Sequence, residues 1–277
     1  MHLGMLAAAL GCAWLIRFWL TPDRTPYLSR WQRALLGVMF PPALVLSTAI
    51  SLACMGPSGR MAGEWQGWLC FGVAVSFGLY ALGWLGWLGW QAMRSRQHIH
   101  TLPVRVIGGD RARLVDSAIP FAAQVGWCRP ELVLSQGLLD DLDEEHVTAV
   151  LVHERAHAHY RDPFWFFWLG WLECLGAWLP HSDALWQELL TLRELRADAR
   201  AAESVDRLVL AEALFQVAST PVTLQPNVAF GAEAVDRLEE RVDALLRAPV
   251  GDTSLDRLHW LFIAAIALPL LVVPFHA

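Results

Sequence analysis

Lysine is missing from this sequence: all 21 basic residues are arginine. Charge of either sign is sparse as well, at 17% of residues against the ~25% usual in soluble domains. Of the 27 acidic residues, only Asp23 and Glu64 lie in the first 90 positions, and the rest fall between 91 and 257. With a net charge of −6 and no arginine-rich stripe, the chain offers no surface for nucleic acid, and direct nucleic-acid binding is not expected. The cysteines are few and lack paired spacing. Cys12, Cys54, Cys70, Cys128 and Cys174 therefore read as small buried hydrophobes rather than a disulfide framework or a thiolate zinc site.

What the sequence has in quantity is apolar length. Three runs open it, Leu3–Leu20, Ala34–Met55 and Trp68–Trp90, and Leu258–Phe275 closes it. Each is near the ~20 residues a helix needs to cross the hydrocarbon. The first lacks a basic leading region and a small-residue cleavage site, so it is expected to be retained rather than removed as a signal peptide. Arg17 near its end is expected to snorkel to the headgroups, and Pro41 and Pro42 to kink the second span. Trp65 and Trp68 at one end of the third span, with Trp84, Trp87 and Trp90 at the other, form an aromatic-belt pattern. Gly83, Gly86 and Gly89 between those tryptophans suggest close helix packing. Arg24, Arg30 and Arg33 in the first loop, and Arg94, Arg96 and Arg105 after the third span, place those segments in the cytoplasm by the positive-inside rule.

The polar middle holds His153-Glu154-Arg155-Ala156-His157. The apolar spacing of Glu144–Tyr160, with Val147, Val150, Leu151 and Val152, predicts a buried helix. On a helix, His153 and His157 lie one turn apart, so both imidazoles can reach one metal. Glu154, beside the first ligand, can take the proton of a water activated there. Zinc needs a third protein ligand while keeping one position open. Downstream, Glu194-Leu195-Arg196-Ala197-Asp198 offers Glu194 as that ligand, with Asp198 placed one turn on to accept the free N–H of a liganding histidine. The other reading of this segment is a solvated helix whose charges pair at i,i+4 spacing.

Pro163–Pro180 is apolar enough to resemble a span, with Glu173 its only charge. A single crossing would put Glu194 across the bilayer from His153 and His157, and residues 181–193 leave no room for a second. The segment is therefore expected to dip into the membrane interface and return. Val104–Ile107, Ala118–Ala122 and Leu132–Leu134 predict short strands, with Gly108-Gly109-Asp110 as a turn. His98 and His100 read as a solvent-facing strand start. Ser219–Gly231, with Pro221 and Pro226, reads as a lid or a plain connection.

Together these residues resemble the M56 (BlaR/MecR-type) peptidases, with the M48 membrane peptidases as relatives. The resemblance runs from Pro120 to about Leu246. It includes Pro130–Ser135, Ala149–His157, Arg161-Asp162, Leu179-Pro180-His181, Arg193–Asp198 and Glu240–Leu245. It implies a mainly α-helical membrane protein: four transmembrane helices with a cytoplasmic gluzincin-like zinc-peptidase domain containing a small β-sheet. Residues 1–90 would hold three spans and 91–257 the peptidase domain, within which 163–180 is a membrane-interface or buried apolar helix. Residues 258–277 would be the fourth span and a short outer tail.

By position, the resemblance makes His153, His157 and Glu194 the Zn2+ ligands, Glu154 the general base and Asp198 their outer support. Arg241 matches an arginine that helps polarise the scissile carbonyl in M48 relatives. The histidine that precedes it there is replaced by Val235, and an ordinary helix-surface arginine is the other reading. The implied activity is metalloendopeptidase cleavage of a cytoplasmic protein, a BlaI-type repressor or the chain itself, at a bacterial cytoplasmic membrane. Membrane-protein quality control, as in M48 relatives, and a non-catalytic zinc-stabilised signalling scaffold are the alternatives. The antibiotic-sensing members continue into a large outer penicillin-binding domain. This sequence stops at Ala277, so direct β-lactam sensing is not expected.

Overall fold

The computed structural model describes residues 2–20, 29–57, 64–219, 230–247, 264–271 and 273. In chain order the elements are α1 (His2–Trp19), α2 (Arg30–Met55), α3 (Glu64–His100), β1 (Val104–Ile107), β2 (Asp110–Val115), β3 (Ala122–Val125), β4 (Glu131–Ser135), α4 (Gln136–Asp141), α5 (Glu144–Tyr160), α6 (Asp162–Gly176), α7 (Ser182–Ala201), α8 (Arg207–Ser219), α9 (Phe230–Arg247) and α10 (Leu268–Leu271). They fall into two compact units. One takes in residues 1–89, 168–190 and 252–277, the other residues 90–167 and 191–251.

The first unit contains helices long and apolar enough to cross a membrane, namely α1, α2 and the apolar part of α3. Ser29 caps α2: its Oγ accepts from Gln32 N–H and its own N–H donates to Gln32 Oε1, closing a capping box. Inside α2 the hydroxyls of Ser47, Thr48 and Ser51 donate to backbone carbonyls one turn back at 2.8–3.0 Å, the way a helix satisfies polar groups where water is scarce. The helix is continuous through Pro41 and Pro42. Half of the fourth expected span, Leu258–Phe275, lies outside the described residues, and α10 falls within the described half.

The middle of Pro163–Pro180 belongs to this apolar unit. Trp171 Nε1 donates to the Ala81 carbonyl (2.9 Å) and Tyr80 Oη to that of Cys174 (3.4 Å). The chain then reverses, and Ser182 Oγ, donating to Gly176 and Leu179 carbonyls, ties the reversal. On the way back Leu185 packs against Gly37, where a Cβ would approach it to 2.7 Å. Arg30 grips Glu188 with two bonds of 2.6 and 2.9 Å.

Several expectations need correction here. Arg17 does not snorkel. It is 1% exposed, with its guanidinium against Gly176, where a Cβ would sit 3.3 Å from it. The third span does not end its helix at Trp90: α3 runs on to His100, because no breaker occurs before Pro103. His98 and His100 thus occupy its last turn rather than a strand start. Gly83, Gly86 and Gly89 face open space among the described residues and pack against nothing. The cysteines are unpaired, but only Cys70 is buried.

The second unit is built on a four-stranded sheet of order β1-β2-β4-β3. β1 and β2 form an antiparallel hairpin, β2 and β4 run parallel, and β3 runs antiparallel along β4 as an edge strand. Strand β2 was not foreseen, and the strand placed at 118–122 is β3, shifted to 122–125. One face of the sheet and helices α4, α5, α8 and α9 enclose a core of Leu114, Leu132, Leu134, Leu138, Val147, Val150, Leu151, Leu210 and Leu245. Gly108 in the hairpin turn has φ +56, and a Cβ there would meet Leu151 at 2.5 Å, so both backbone and packing require glycine. The proposed lid, Ser219–Gly231, lies mostly outside the described residues.

Candidate metal centre

Helix α5 spans the predicted residues, Glu144–Tyr160. Asp143 caps it by accepting from His146 N–H (3.0 Å), and Glu144 and Glu145 occupy the positive end of the helix dipole. At the other end Arg161 takes a left-handed conformation (φ 55), which turns the chain at once into α6. Buried Val147, Val150 and Leu151 fix the helix on the core, and the next turns of the same buried side carry His153, Glu154 and His157, each under 9% exposed. Arg155, the motif's middle residue, points elsewhere: it holds Asp110 (2.6 Å) and the Gly108 carbonyl (3.0 Å), fastening α5 to the β1–β2 turn.

Helix α7 brings Glu194 to the histidines. Its Oε2 lies 3.4 Å from His153 Nε2 and 3.6 Å from His157 Nε2, and the two Nε2 atoms are 3.1 Å apart. The other ring nitrogen of each histidine lies beside an aspartate carboxylate. His153 Nδ1 is 2.8 Å from Asp198 Oδ1, and His157 Nδ1 is 2.8 Å from Asp162 Oδ2. An aspartate at Nδ1 keeps the proton there, so both Nε2 lone pairs point into the space that Glu194 also faces. Two lone pairs and a carboxylate converging in a buried site repel one another unless a proton or a metal cation sits among them. A His/His/Glu set whose ligand atoms lie within 4.8 Å of each other fits a first-row divalent ion.

The electrostatics follow from burial and these partners. Burial disfavours a charged His153, yet Asp198 and Glu194 outweigh it and hold its pKa up to about 9. His157 is raised for the same reasons, with Asp162 and Glu194 overcoming its burial. Glu194 is also buried, but the histidines and arginines hold it well below the carboxylate range. Glu154 goes the other way: burial raises its pKa, and the histidines only partly offset that. Its Oε2 has no hydrogen-bond partner among the described residues, while its backbone carbonyl accepts from Gln124 Nε2 of β3 (3.3 Å). A carboxylate with a raised pKa and a free oxygen beside a metal position can serve as a proton acceptor near neutral pH.

Arg241 is not a surface arginine. From α9 it donates Nε and Nη2 to Asp198 at 2.7 and 2.9 Å, and its Nη1 lies 3.6 Å from Glu194 Oε2. Asp198 is 1% exposed and joins Arg241 to His153. Four further residues were not foreseen in their roles. Asp162 orients His157 and is itself held by Arg196, whose guanidinium lies 4.1 Å over the Tyr160 ring. Arg193 binds Glu194, and Gln124 reaches α5 from the sheet edge. A cavity of about 280 Å³ opens here, lined by Ala122, Ala123 and Gln124 of β3 and by Glu154, His157, Asp162, Pro163, Arg193 and Glu194. Set against models of protein families, curated proteins and solved structures, the chain matches none of them.

Proposed function

We propose that this chain is a membrane-embedded zinc endopeptidase that cleaves a cytoplasmic protein, a BlaI-type repressor or the chain itself. The observation that carries the reading is the convergence of His153, His157 and Glu194 beside the unpartnered carboxylate oxygen of buried Glu154. The motif resemblance to M56 peptidases and the apolar helices α1–α3 support it. So do the arginines flanking the spans, which by the positive-inside rule favour a cytoplasmic side for the sheet-bearing second unit.

The His/His/Glu set would hold the zinc, which supplies Lewis acidity: it acidifies a water and polarises a carbonyl. The remaining work falls to residues of this chain. Glu154 accepts the water's proton and delivers it to the leaving nitrogen as the peptide bond breaks. Asp198 and Asp162 keep the imidazoles in one tautomer through the cycle. Among the described residues strand β3 is paired on one side only, and it lines the cavity, so an extended peptide can join the sheet as its next strand.

Glu154→Gln tests this. It should retain stoichiometric zinc and abolish cleavage, read by N-terminal sequencing of fragments from cells co-expressing a candidate repressor. Identical fragments from wild type and variant would instead indicate a zinc-stabilised scaffold.

A further inference from the structure

Glu194 has two oxygens, and the structure treats them differently. Oε2 faces His153 and His157 at 3.4 and 3.6 Å, with Arg241 Nη1 at 3.6 Å. Oε1 accepts both Nε (2.9 Å) and Nη2 (2.7 Å) of Arg193. This second contact is not one a helix provides by default. Adjacent residues on a helix point in divergent directions, so Arg193 must fold back along α7 to reach its neighbour. The Phe166 ring, 4.8 Å beneath the guanidinium, keeps it folded back.

The geometry points to Arg193 as a positioning residue that holds Glu194 to the metal through Oε2 alone. This rests on the metal-centre reading above. A carboxylate can give a metal one oxygen or two, and zinc accepts a fifth ligand when one is offered. With Oε1 occupied by a two-pronged donor, turning it toward the histidines would break two charge-assisted hydrogen bonds. Two imidazole nitrogens and one oxygen would then make up the protein's share of the ligands, leaving a position for water. Without Arg193 the carboxylate can turn and present both oxygens, filling the position that water and substrate need. Lysine cannot replace the fork, because it offers a point charge on a flexible stem.

Cobalt(II) reports this directly, since its visible absorption is intense with four ligands and weak with five or six. Purified full-length protein in detergent is loaded with cobalt and compared with R193Q and R193K. Wild type should bind one cobalt with the strong four-coordinate bands. Both variants should bind cobalt with bands several-fold weaker, R193K no better than midway. Wild-type bands in a variant that binds cobalt would overturn the inference and leave the metal centre standing. A wild type that takes up no cobalt would overturn both. If R193Q does not fold, R193K carries the same comparison.

Discussion

Replacing Asp198 with asparagine keeps the side chain's size and removes its charge. In the folded chain Asp198 serves two partners: Arg241 donates to both its oxygens at 2.7 and 2.9 Å, and His153 Nδ1 lies 2.8 Å from Oδ1. Asparagine has one acceptor oxygen and an amide that donates. It can satisfy the guanidinium or the imidazole N–H, and whichever it fails then faces another donor. If the imidazole loses, its proton moves to Nε2 and blocks the metal.

Loss of such an outer partner costs about 10–100-fold in metal affinity, or about 1.4–2.8 kcal/mol at about 1.4 kcal/mol per decade. Stability falls separately, because Arg241, 16% exposed, loses its one close carboxylate among the described residues and keeps the more distant Glu194 and Glu154. Removing one partner of a buried pair costs about 3–5 kcal/mol; residual exposure and the amide oxygen put Asp198→Asn at the lower end, ~3 kcal/mol. Zinc affinity is measured by competition with a chromogenic chelator, and stability by unfolding the metal-free full chain in detergent. Adding Arg241→Gln removes the stranded cation and should recover ~1–2 kcal/mol of stability, with affinity still low. An affinity for Asp198→Asn within twofold of wild type would refute the tautomer argument. Strict additivity in the double variant would refute the ion-pair argument.

Metal binding should weaken as pH falls below about 9, the value to which Asp198 and Glu194 raise His153, because the metal must displace that proton. Stability of the metal-free protein should move oppositely: with the folded value above the ordinary 6.5, the His153 contribution is full below 6.5 and is lost as pH rises through about 9. Chelator competition and metal-free unfolding across pH 6–10 (roughly the span of these two values) check both slopes. Gly137→Ala would place a Cβ 2.1 Å from the Ala118 carbonyl oxygen, a backbone clash at or beyond the upper end of the ~1–3 kcal/mol that overpacking costs. Metal-free unfolding of that variant measures it. In a cysteine-free background, His159→Cys before α6 and Glu203→Cys after α7, both exposed, should react with an impermeant maleimide from the same side of the membrane. Labelling from opposite sides would break the proposed site, since Glu194 could then not meet His157.

The candidate ligands were readable from sequence because local geometry places them. His153 and His157 sit at the one spacing that stacks side chains on a helix, and Glu194 and Asp198 repeat that spacing on a second. Asp162 escaped because it lies five residues past His157, off any helical repeat. It comes within reach only through the left-handed turn at Arg161, a residue type that does not announce such a turn. Arg241 was undecidable for a related reason: an arginine on an amphipathic helix looks the same whether it meets solvent or a buried carboxylate in another helix. In β2 the alternation of Arg111 and Arg113 with Ala112 and Leu114 was present but masked by charge. Arg113 is in fact satisfied by Glu131 on β4, a partner visible only once the parallel pairing is known.

The return of Pro163–Pro180 was inferred from the opposite direction, from what the site needs rather than from local pattern. Hydropathy alone reads this segment as a span, because tryptophan, phenylalanine and leucine register as apolar whether lipid or protein surrounds them. In the structure part of the segment meets protein, since Trp171, Cys174 and Leu179 contact α1, α2 or α3, while Trp165 and Trp178 stay exposed. The reversal there depends on details that no periodicity encodes, the hydroxyl of Ser182 on two carbonyls and the bare Cα of Gly176 beneath Arg17. A constraint on where two side chains must meet can thus decide a fold question that composition leaves open, provided the chemistry linking them is specific enough to trust.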